Sequence, residues 1–79
     1  MTESIHITRI RSFVGYALDE EDKVEYFTEK AKTAKRRGSD WFFVYDCSVA
    51  MTALSAAEKN WLIAIVELLN WVREDDDQD

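Results

Sequence analysis

The sequence predicts a small α+β domain of order β-α-β-α with an acidic C-terminal tail, an all-α bundle being the alternative. Three observations lead there. Residues 20–37 read as a well-capped surface helix, residues 41–49 as an aromatic and β-branched strand, and residues 56–74 as a helix apolar over most of its circumference. The chain has 79 residues, 47% of them hydrophobic and 33% charged, with no proline and two glycines. That length fits one domain, and the apolar fraction is too high for a disordered chain. Residues 1–73 are expected to form the compact domain and 74–79 the tail.

Residues 4–18 hold Ile5, Ile7, Thr8, Ile10, Phe13, Val14 and Tyr16, a strand-like composition, and Gly15 suits a bulge. Ile10, Phe13, Val14, Ala17 and Leu18 also match the helical template. Strand is the reading adopted, and a right-handed crossover would pair it in parallel with the later strand.

The helix at 20–37 has Asp19 as its expected N-cap and Glu20, Glu21 and Asp22 in its first turn. Lys35, Arg36 and Arg37 occupy its last turn, and Gly38 follows where a left-handed residue is wanted. Val24, Phe27, Ala31 and Ala34 make a narrow apolar stripe, with Tyr26 on the opposite side. The run Trp41-Phe42-Phe43-Val44-Tyr45, bounded by Gly38-Ser39-Asp40 and Asp46, supplies the second strand.

For the helix at 56–74, Ser55 and Glu58 stand at capping-box spacing. Only a narrow stripe through Asn60, Glu67, Asn70 and Glu74 is polar. A helix of this kind must be covered on several sides, and the other helix offers only a thin stripe to do it. Self-association or a partner protein is implied, with a homodimer through helix 56–73 expected. A two-stranded sheet with open edges points the same way.

Charge divides along the chain. Residues 1–38 hold eight Lys/Arg and seven Asp/Glu, whereas residues 39–79 hold two and nine, and the whole chain carries −6. The closing run Glu74-Asp75-Asp76-Asp77-Gln78-Asp79 has nothing to bury and is expected to be a disordered or fraying, solvated tail. The single cysteine, Cys47, excludes an internal disulfide and favours a reducing, cytoplasmic setting. No signal peptide is legible at the N-terminus. The longest apolar stretch, Trp61 to Val72, is far short of the ~20 residues of a bilayer span, so a soluble protein without a membrane role is expected.

Chemistry-bearing motifs are sparse. His6 and Cys47 are forty residues apart with no orienting motif beside them, so no catalytic role is assigned. No spacing of His, Cys or carboxylates matches a metal site, and no glycine-rich phosphate loop is present, so neither metal nor cofactor is expected. The chain therefore reads as something other than an enzyme. Lys30, Lys32, Lys35, Arg36 and Arg37 form a basic cluster, the alternative site for a nucleic-acid-associated regulator. They spread around a helix end in an acidic chain, which makes nucleic acid the weaker partner.

The reading favoured is a small acidic protein-binding module acting as inhibitor, adaptor or regulator, one version occupying a partner's basic nucleic-acid-binding surface. Its contacts are expected from Trp71, Glu67, Asn70, Glu74 and the tail carboxylates Asp75, Asp76 and Asp77. Tyr26 is a lesser candidate.

Overall fold

Neither expected strand forms. The computed structural model describes the backbone of residues 4–77, and it is a hairpin of two long helices, α1 (Ile5–Arg36) and α2 (Asp40–Asp77). The α+β class is thereby corrected to an all-helical one. Residues 5–18 are the first half of α1, continuous with the expected 20–37 helix. Residues 41–49 are the start of α2, continuous with the expected 56–74 helix.

The chain carries no proline to interrupt either helix, and Gly15 sits inside α1 without stopping it. The N-cap is Ser4, whose hydroxyl oxygen accepts the His6 N–H at 3.2 Å, so Asp19 and Ser55 are helix-interior residues and cap nothing. The expected stop does occur. Gly38 takes φ +74°, its N–H donates to the Lys35 carbonyl at 3.1 Å, and the Ser39 N–H donates to the Ala34 carbonyl at 2.9 Å. This pair of bonds is a Schellman turn, which uses a glycine where a Cβ would be strained. The Ser39 carbonyl then accepts the Phe43 N–H at 3.0 Å and α2 begins. α2 continues into the acidic tail as far as Asp77, while residues 78 and 79 of that expected tail lie outside the described residues.

The two helices meet along a seam of small residues. Ala17, Ala31 and Ala34 of α1 are buried against Ala50, Ala53, Ala57 and Ala64 of α2. On α2 the seam positions 43, 46, 50, 53, 57, 60, 64, 67 and 71 alternate by three and four, the coiled-coil interval. The four alanines among them, Ala50, Ala53, Ala57 and Ala64, let two backbones approach closely but bury little, about 0.8 kcal/mol for each methyl-sized group. Phe43 and Trp71, toward the two ends, are only half-buried. Among the described residues no apolar side chain larger than alanine is buried; the larger buried side chains are the polar Asp46 and His6.

The result is long and thin, 63 × 22 × 11 Å, with a radius of gyration of 18.1 Å. A compact chain of this length would have a radius of gyration of about 12 Å.

Candidate functional site

Two features stand out from this scaffold: a polar clasp at the open end and an apolar face along the back of α2. The clasp is built on His6, the second residue of α1 and only 8% exposed. Its Nδ1 lies 2.6 Å from Glu67 Oε1 and its Nε2 lies 2.6 Å from Glu74 Oε2. Glu67 and Glu74 are two turns apart on α2, so both reach one imidazole from the same helix face. Two carboxylates on two ring nitrogens suit the imidazolium, which alone donates from both.

His6 is accordingly held above its ordinary value, mainly by the bond to Glu74 and next by that to Glu67, with burial opposing. Glu67 is held below its ordinary value by His6 first, and also by Arg9, whose Nη1 lies 3.4 Å from Oε1. The indole of Trp71 stacks on the imidazole, centroids 6.0 Å apart and planes inclined by 14°. A second tie across the hairpin runs from Trp61 Nε1–H to Glu21 Oε1 at 2.9 Å.

The sequence-predicted contact residues therefore divide. Trp71, Glu67 and Glu74 are gathered into the clasp, engaged within the chain itself. Asn70 is exposed, and Asp75, Asp76 and Asp77 lie in the last turn of α2. Tyr26 is exposed on α1.

Among the basic candidates, Lys32 pairs with Glu29 at 3.0 Å, Lys30 lies over the Tyr26 and Phe27 rings, and Lys35 over Phe43. Arg36 donates to Thr33, and Arg37 caps α1. They make no single stripe. Lys30 and Arg37 border a notch of about 450 Å³ beside the turn, together with Tyr26, Phe42 and the buried Asp46. His6 stacks on Trp71, whereas Cys47 lies twenty-four residues before Trp71 on the same helix, some 36 Å away at ~1.5 Å per residue. Among the described residues no cluster of three or more His, Cys, Asp or Glu is placed to hold a metal ion.

The sequence does not show the apolar face of α2 as one continuous feature, because its first third reads as a strand. On α2, positions 41, 44, 48, 51, 55, 58, 62, 65, 69 and 72 repeat the three-four interval of the seam on a different side of the helix. All ten are exposed, and all but Ser48, Ser55 and Glu58 are apolar. Trp41, Met51 and Leu62 are 68%, 70% and 62% exposed, so these large side chains have no cover within the hairpin. Tyr45, Leu54, Val66 and Leu68 widen the face. A shallow groove at its centre is lined by Ser55, Glu58, Lys59, Leu62, Ile63 and Val66.

The same helix, Asp40–Glu74, is long and apolar enough by length and composition to cross a membrane, with a mean hydropathy of 1.3 over its most apolar stretch. Comparison with protein families, with curated proteins and with solved structures finds no match to this chain.

Proposed function

We propose that this chain is a protein-binding module, an inhibitor, adaptor or regulator that works through the outward apolar face of α2. One observation carries the reading: every buried apolar residue of the hairpin is an alanine, while most of the large apolar side chains of α2 are exposed. In a self-sufficient monomer the large residues fill the core, and exposed apolar patches stay small. Covering one exposed Leu, Ile or Val contributes about 1.5–3 kcal/mol, against about 0.8 for a seam methyl. The strongest apolar contacts this molecule can make therefore lie outside its own fold. The acidic stretch Asp19–Asp22 on α1 and the carboxylates at the end of α2 supply orientation toward a basic partner surface.

Retention of a protein from lysate of the source cell, with and without nuclease and at raised salt, tests this. A stoichiometric protein that survives both treatments and is lost with Ile65→Asp is the expected result, since apolar burial is insensitive to salt screening. Material that disappears with nuclease would move the function to nucleic acid and to Lys30–Arg37.

A further inference from the structure

We infer that the partner covering the back of α2 is a second copy of this chain, docked antiparallel, α2 against α2. This deepens the protein-binding reading above and rests on it.

Area is the first argument. The hairpin exposes 6230 Å², whereas a folded monomer of 9.2 kDa exposes about 4,900 Å². The excess is about 1,300 Å² per chain. Two copies hiding that excess would bury about 2,600 Å² together, inside the range of obligate homodimers.

The second argument is the order of residues along the stripe. Rotated end for end about a point between Ala56 and Ala57, the stripe meets itself in register. Val44 faces Leu69 of the second copy and Met51 faces its Leu62. At the centre, Ser55 faces Glu58, so a hydroxyl donates to the one carboxylate in the stripe. A parallel pairing would set Glu58 against Glu58 and Ser48 against Ser48, placing like charges and polar groups opposite one another at the middle of an apolar interface.

Charge at the ends agrees. The turn end carries Lys30, Lys32, Lys35, Arg36 and Arg37 against Glu29, Asp40 and Asp46. The open end carries Glu67, Glu74 and Asp75–Asp77 against Arg9, Arg11 and Arg73, so the two ends keep opposite net charge. Antiparallel docking sets each basic end toward the partner's acidic end, and opposes the two helix dipoles. Lipid is a poorer cover for this face, because Glu58 and Lys59 fall at its centre, where a bilayer is least tolerant of charge.

Sedimentation equilibrium of the full chain at about 100 µM, well above the micromolar Kd at the weak end for interfaces of standard size, should give twice the single-chain mass. Leu62→Asp should return it to one chain with its helical circular dichroism retained. Orientation is read separately in a Cys47→Ala background, by mixing a tagged Met51→Cys chain with an untagged Leu62→Cys chain under mild oxidation. Antiparallel docking yields the mixed disulfide as the dominant product. Disulfides of Met51→Cys with itself would overturn the orientation, and this readout holds even if Leu62→Asp unfolds.

A single-chain mass for the wild type, or a mass above two chains, overturns the dimer. If that single chain still binds a different protein through Ile65, the module reading survives and only its partner changes. If it instead floats with phosphatidylcholine vesicles and binds no protein, both readings fall.

Discussion

His6 sits between two carboxylates of the opposite helix, so the clasp depends on a proton in a definite direction. Its folded value is raised from 6.5, hence its contribution to stability is whole below that pH and drains away as pH rises through the raised value. Glu67 is lowered from 4.5, hence its contribution is whole above that pH and is lost as pH falls through the lowered value. Both act together between pH 4.5 and 6.5. Thermal unfolding should therefore show its highest midpoint in that window and a decline on the alkaline side. His6→Gln, which cannot become charged, should flatten the alkaline decline, as followed by circular dichroism across pH. An unchanged profile in that variant would remove the clasp from the stability of the hairpin.

At the scale of the helices, the two glycines have opposite roles and should respond oppositely to alanine. Gly15 lies inside α1 with open space where a Cβ would go. Gly15→Ala should stabilise the hairpin by about 0.5–1 kcal/mol by reducing the freedom of the unfolded chain. Gly38 also has open space, but its φ of +74° makes any Cβ strained, so Gly38→Ala should cost about 1–2 kcal/mol. Urea midpoints of the two variants check both signs.

The helix stop at Lys35–Gly38 was legible because it is local chemistry: terminal cations and a left-handed glycine. Composition points to strands because large apolar and β-branched residues are expected to be the buried ones. In residues 41–49 that weight fell on Trp41, Val44 and Tyr45, which point outward, while the seam runs through Phe43, Asp46 and Ala50. An alanine seam gives almost no hydropathy signal, so its three-four spacing was the only mark it left. Within residues 4–18 the helical spacing is visible in the sequence, and the β-branched and aromatic composition together with Gly15 outweighs it. The clasp joins residues sixty-one and sixty-eight apart in sequence, a proximity that only the hairpin itself creates.

For the molecule as a whole, the informative inference from sequence was that the helix at 56–74 needs more cover than the chain supplies. The hairpin extends that need from Trp41 to Val72. Stability that comes from association follows mass action, so the midpoint of thermal unfolding should rise with protein concentration. Each 1 kcal/mol gained corresponds to about 4–8 °C for a chain of this size. Leu62→Asp should remove the concentration dependence and lower the midpoint. A midpoint that stays constant across a hundredfold dilution of the wild type would assign the stability to the isolated hairpin.

The single tight turn at Arg37–Ser39 also sets an order of events in time. Contacts between the helices form a ladder, from Lys35 over Phe43 beside the turn to His6 against Glu74 at the far end. Each rung closes a longer loop than the one before, so zipping from the turn outward is the least costly route. The turn then belongs to the folding nucleus and the clasp forms last. In a denaturant chevron, Gly38→Ala should slow folding and leave unfolding nearly unchanged, whereas His6→Gln should speed unfolding and leave folding nearly unchanged. The proton on His6 is thus a brake on opening, and the lifetime of the closed hairpin shortens as the solution becomes alkaline.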